Sequence, residues 1–123
     1  MVESLLGTPY APDFQNAILA LEDVDEYPHR VDRMFTQLRN AGILEIISGL
    51  VLGQFTHCLA KKPEIPHFTI EQILTEVVEW CPRPSLVNFA YGHEPLKVTL
   101  PFGIQAKFDE EKRGLRLLES AVV

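Results

Sequence analysis

The feature that most constrains the fold is residues 17–26, AILALEDVDE, an apolar run that stops abruptly at carboxylates. Ala17 to Leu21 suit a buried strand, and Glu22, Asp23, Asp25 and Glu26 then project from its end. Open α/β sheets usually place their chemistry where buried strands end in charge. A second apolar run closes in NFAYGHEP, residues 88–95, which puts Gly92 and His93 at another strand end. One carboxylate and one imidazole at two strand ends form a candidate acid/base pair.

Between these runs the spacing alternates between helix and strand. Pro28 stands where a first helical turn begins, since proline lacks only an amide hydrogen that is unsatisfied there anyway. Val31, Met34, Phe35 and Leu38 follow the i, i+3, i+4, i+7 pattern of one buried face, and Asn40-Ala41-Gly42 supplies a stop. A short helix is expected at Ile43 to Ile47, a strand at Leu50 to Phe55, and a loop through Thr56 to Phe68. Thr69-Ile70-Glu71-Gln72 has the form of a capping box, so a helix is expected from Ile70 to Trp80, ended by Pro82 and Pro84. A third strand follows at Leu86 to Ala90, then Lys97 to Leu100. Gly103 to Phe108 pairs with Leu115 to Glu119 in a C-terminal hairpin.

Strands separated by helices predict an α/β domain with a mixed, partly parallel sheet. Parallel strands put their C-terminal ends on one edge, which Glu22 and His93 then share. Residues 1–16 fit neither period for long and read as a linker that packs on the surface of a domain spanning residues 17–123. The apolar Leu5, Leu6, Tyr10 and Phe14 suit a linker that belongs to something larger.

Length and composition set limits. The chain has 123 residues and is 46% apolar, enough for one domain with a real core. A net charge of −6 with no basic run argues against nucleic acid or an anionic membrane as partner. No apolar run approaches the roughly 18 residues of a spanning helix, and the N-terminus lacks a signal-peptide pattern, so the expected setting is cytoplasmic. Cys58 and Cys81 stand far apart, outside CxxC spacing, and read as reduced thiols.

A carboxylate bonded to one imidazole nitrogen frees the other to take a proton from a nucleophile, so such a pair is two thirds of a triad. The sequence offers no convincing third member: Ser4, Ser48, Ser85 and Ser120 lack a sharp strand-to-helix turn, and neither cysteine sits in a nucleophile motif. The plainer readings stay open, with His93 a turn histidine beside a glycine and Glu22 a solvated carboxylate serving the next helix dipole. Asp23 competes with Glu22 for the inward position. His57, Cys58 and His67 offer three metal-ligand types at no recognised spacing. His29 falls in a first helical turn and is expected to be exposed, and Phe35, Phe55, Trp80 and Phe89 read as core. Gln54 and Thr56 flank Phe55 at a strand end and can extend a polar site.

Taken together, SLLGTPYAPD, AILALEDVDEYPHRVDRMFTQLRNAGIL, SGLVLGQF, YGH and VTLPFGIQAKFD resemble the C-terminal domain of the LD-carboxypeptidase family of serine peptidases. That group also includes the microcin C7 self-immunity peptidases. The resemblance covers essentially the whole chain and implies a small layered β/β/α domain of the swivelling type. It implies a cytosolic enzyme that removes the terminal D-alanine from murein tetrapeptides, with no metal or organic cofactor. In the family an N-terminal domain supplies the serine and its oxyanion donors, and the C-terminal domain supplies a Glu and a His. On the matching motifs these are Glu22 and His93. The implied partner is therefore the serine-bearing N-terminal domain, and a chain without it is expected to be inactive alone. Such a chain is also expected to self-associate, as a homodimer covering the apolar N-terminal segment. A free-standing non-catalytic module binding a peptide or a partner is the alternative.

Overall fold

Each helix forms where the apolar stripe and the end signals agree. The computed structural model describes residues 2–109 and 111–122. The first helix, α1 (Pro28–Asn40), starts on its proline and buries Pro28, Val31, Phe35 and Leu38. It ends where Gly42 takes a φ of 72°, a left-handed turn that glycine enters at little cost. A single turn, α2 (Ile43–Ile46), follows. The third helix, α3 (Ile70–Trp80), keeps the bounds that its sequence signals predict. Thr69 Oγ1 accepts from the Gln72 amide at 3.2 Å, and Gln72 Oε1 accepts from the Thr69 amide at 2.9 Å.

The strands are β1 (Ile18–Val24), β2 (Gly49–Thr56), β3 (Ser85–Leu86), β4 (Ala106–Asp109) and β5 (Gly114–Leu117). The first three form one parallel sheet in the order β1-β2-β3, with Ile18 opposite Gly49 and Leu50 opposite Ser85. Strands β4 and β5 form a separate antiparallel ribbon, Ala106 opposite Leu117. The expected α/β class and C-terminal hairpin are present, with the parallel and antiparallel parts in two sheets.

On one face of the sheet, Leu50 and Leu52 pack with Val31, Phe35 and Leu38 of α1 and with Ile73, Leu74 and Val77 of α3. Neither leucine retains exposed surface, so truncating either to alanine costs about 2–5 kcal/mol. Phe108 of β4 lies over Gly49, and any side chain on that glycine would overlap its ring. Gly49 alternates with Leu50 and so faces away from the helices. Helices, sheet and ribbon thus make the three layers of a β/β/α arrangement.

Two expected strands are corrected. Of the run Leu86 to Ala90 only Leu86 is strand, in the two-residue β3 (Ser85–Leu86), because Asn88 takes a φ of 55° and breaks the extended chain. Past the break the chain rejoins β2, with the Phe89 amide donating to Leu52 O at 3.0 Å and the Gln54 amide donating to Tyr91 O at 2.8 Å. Lys97 to Leu100 is not a strand. Its link to that segment is one bond, from the Val98 amide to Ala90 O at 2.7 Å. Pro95 and Pro101 bracket the stretch and withhold amides a ladder would need. Phe89, expected in the core, is half-buried outside the main cluster.

The N-terminal segment contributes to the fold. A 3₁₀ turn, Val2–Leu5, lies near α1, where Gln37 Nε2 donates to Glu3 O at 3.1 Å. Phe14 joins the core and Leu6 packs against it, whereas Tyr10 is exposed. Among the described residues no helix is long and apolar enough to cross a membrane.

Candidate active site

The C-terminal ends of β1 and β2 and the segment Phe89–His93 meet on one edge, as parallel strands require. Here the β1–β2 register slips: Leu21 faces Leu52 but Asp23 faces Phe55, so Gly53 and Gln54 together face Glu22. A bulge of this kind turns a side chain out of its regular alternation and is common beside active sites. Glu22 Oε2 accepts from His93 Nδ1 at 2.8 Å. Asp23, which competed for this position in the sequence, instead accepts from the Val24 amide at 2.9 Å.

Two glycines make the approach possible. A Cβ on Gly53 would overlap the carbonyl oxygen of Tyr91 and stand 3.1 Å from Glu22 Cβ. Gly92 has a φ of 143°, and a Cβ there would lie 3.0 Å from Gln54 O and 3.4 Å from Glu22 Oε2. The His93 side chain is 55% exposed while that of Glu22 is 21% exposed. The carboxylate is therefore held inside and the imidazole presented outward. With Nδ1 donating to Glu22, Nε2 of the neutral ring is the free acceptor.

Tyr91 belongs to this constellation although spacing alone did not single it out. Its ring stands edge-on to Phe102, centroids 6.0 Å apart, and both line a cleft of about 260 Å³ with Glu22 and Phe55. Burial pushes the Tyr91 phenol up from its ordinary value of 10.0, and the charge on Glu22 adds to the rise. The signal available in the sequence was its place in YGH, one residue before the glycine.

The other candidates disperse. His57 Nδ1 faces Asp25 Oδ1 at 3.4 Å with both groups exposed, His67 Nδ1 bonds Ile65 O at 2.7 Å, and Cys58 is buried. Among the described residues, no group of three or more His, Cys, Asp or Glu is placed to hold a metal ion. His29 is exposed and stacks on Tyr27, centroids 5.8 Å apart. Trp80 lies half-buried against the core with the Arg39 guanidinium 4.4 Å above its ring. Ser85 Oγ donates to Arg83 O at 3.2 Å and Ser120 Oγ to Val122 O at 2.6 Å, so both serve local turns.

The model of the LD-carboxypeptidase C-terminal domain matches residues 1–108. The chain belongs to this family. Its fold superposes on a crystal structure of muramoyltetrapeptide carboxypeptidase from Oxalobacter formigenes with a TM-score of 0.79. Identity there is 32%, over 94% of this chain and 40% of that one. A Synechocystis protein designated a carboxypeptidase is 39% identical over 113 residues, which are 92% of this chain and 37% of the relative. The microcin C7 self-immunity protein of Escherichia coli is 26% identical over 116 residues, 92% of this chain and 32% of the relative. The LD-carboxypeptidase C-terminal domain thus spans roughly a third of the length of these curated relatives.

Proposed function

We propose that this domain supplies the Glu and His of a Ser-Glu-His triad that releases terminal D-alanine from murein tetrapeptides, the serine being carried by the N-terminal domain of the family. The observation that carries the reading is the 2.8 Å bond from His93 Nδ1 to Glu22 Oε2 beneath an exposed imidazole. Glu22 holds the ring in the Nδ1–H tautomer, so Nε2 takes the serine proton as the hydroxyl oxygen attacks the carbonyl carbon of the amide. His93 then returns that proton to the departing amine, D-alanine leaves, and water hydrolyses the acyl-serine in the reverse sense. The proposed setting is cytosolic. Tyr10, at 79% exposure, keeps a homodimer through the N-terminal segment in the proposal, and sedimentation equilibrium tests it.

The deciding experiment measures D-alanine release from a murein tetrapeptide by the chain alone and after mixing with a serine-bearing N-terminal domain from the family. Activity is expected only in the mixture and is expected to fall on the order of 10⁴-fold in Glu22→Gln, which no longer fixes the tautomer. Turnover by the chain alone, or an unimpaired Glu22→Gln mixture, would sink the proposal.

A further inference from the structure

Among the described residues the Glu22 carboxylate has a single hydrogen-bond partner, His93. A glutamate side chain turns about several torsions, and one bond at its tip does not fix them. The rest of its setting is the cleft of about 260 Å³ whose wall includes Phe55, Tyr91 and Phe102. Phe102 is 64% exposed, an unfavourable place for an apolar ring, and its ring contact is the edge-on approach to Tyr91 at 6.0 Å. Pro101, with its fixed φ, and Gly103, at a φ of 77°, bracket Phe102 and turn the chain sharply at the ring. The Tyr91 backbone is held independently of its side chain: the amide donates to Phe89 O at 2.6 Å and the carbonyl accepts from the Gln54 amide at 2.8 Å.

We infer that Tyr91 and Phe102 are positioning residues for the Glu22–His93 pair: Phe102 braces the Tyr91 ring, and the braced ring keeps the Glu22 carboxylate in the rotamer that meets His93 Nδ1. Edge-to-face contact fixes the direction of a ring as well as its place. With Phe102 removed, the Tyr91 side chain gains space for another staggered rotamer, and the wall beside Glu22 opens. Glu22, whose side chain is 21% exposed, then meets more water, and water competes with the imidazole as a donor to the carboxylate. The Tyr91 hydroxyl forms no hydrogen bond among the described residues, so the ring carries the role. The consequence for rate rests on the peptidase reading, whereas the consequence for the geometry of the pair does not.

The test is imidazole nitrogen NMR of His93 in this chain carrying Phe102→Ala, Tyr91→Leu or Tyr91→Phe, beside turnover with a serine-bearing N-terminal domain supplied. Phe68→Ala is the matched control, because Phe68 is also 64% exposed but lines a different cavity. Phe102→Ala and Tyr91→Leu are expected to replace the single Nδ1–H tautomer by a mixture, and Tyr91→Phe, which keeps the ring, to retain it. Phe102→Ala should do so at an unchanged urea midpoint, since its ring is mostly exposed. In the reconstituted pair both disruptive variants should lose roughly tenfold to hundredfold in kcat with KM within about twofold, since a misplaced acid/base pair is felt in the transition state. A single Nδ1–H tautomer retained in either Phe102→Ala or Tyr91→Leu overturns the inference. So does a mixture in Tyr91→Phe or in Phe68→Ala, or a change confined to KM, which would make the rings a substrate contact. The expected tautomer changes without turnover in the unmodified mixture uphold the positioning role and remove the peptidase reading instead.

Discussion

Replacing Gly53 with alanine should separate Glu22 from His93 without altering either side chain's chemistry. The new Cβ would overlap the Tyr91 carbonyl oxygen, which is fixed because it accepts from the Gln54 amide at 2.8 Å. Ordinary van der Waals separation requires the segment Phe89–His93 to retreat by about 1 Å, which is overpacking costing about 1–3 kcal/mol. The same retreat would stretch the 2.8 Å bond between His93 and Glu22 past hydrogen-bonding range. A misplacement of that size costs about 10²-fold in rate. The direct assay is imidazole nitrogen NMR of His93, where the Nδ1–H tautomer is expected to give way to a mixture. Denaturant unfolding and turnover in the reconstituted pair complete it. Gly114→Ala is the control, because a Cβ there meets nothing nearer than Lys112 O at 3.8 Å. If Gly53→Ala keeps a single Nδ1–H tautomer at unchanged stability, the reasoning about this close approach is wrong.

Titration of Tyr91 gives a second expectation: Glu22→Gln should lower its phenol toward 10.0 without reaching it, because burial is the larger cause and persists. Phenolate absorbance across alkaline pH reads this, and no change would refute it. Stability should fall at high pH. Burial raises the Cys58 thiol above 9.0, with Asp23, Glu26 and Asp25 adding to the rise, and Tyr91 is raised above 10.0. The native state holds both protons more tightly than the unfolded chain. Their contribution is therefore intact below the unfolded values and lost as pH rises through the native ones. Urea midpoints unchanged between about pH 8 and about pH 11 would count against it. At the acid end, the Lys112 amide and Arg116 hold Asp109 below 3.8, so its contribution is present above that value and lost as pH falls through the native one. Arg116→Ala should weaken that acid dependence, read as fraying of β4–β5 by amide exchange. Thr69→Ala should cost about 1 kcal/mol in denaturant unfolding by removing the cap of α3, and a change below about 0.3 kcal/mol would contradict the capping argument.

The helices and the shared edge were legible because their signals are local and redundant. Helix α3 runs Ile70–Trp80 as its capping box and apolar stripe require, and the parallel order follows from helices between strands. The meeting of Glu22 and His93 on one edge followed from that order, but the choice of Glu22 over Asp23 did not. It depends on the slip at Gly53 and Gln54, and a period-two pattern carries no mark of such a slip. The left-handed Asn88 that cuts the third strand was equally silent, because asparagine occupies ordinary strand geometry as well.

The pair at the edge joins residues 71 positions apart, with both helical crossovers between them. Closing a flexible loop of that length costs about 4 kcal/mol in the logarithmic term alone, more than a charge-assisted hydrogen bond returns. The bond between Glu22 and His93 therefore cannot gather its own ends. It is expected to form only after β2 has been flanked on both sides, which makes it a late contact in folding.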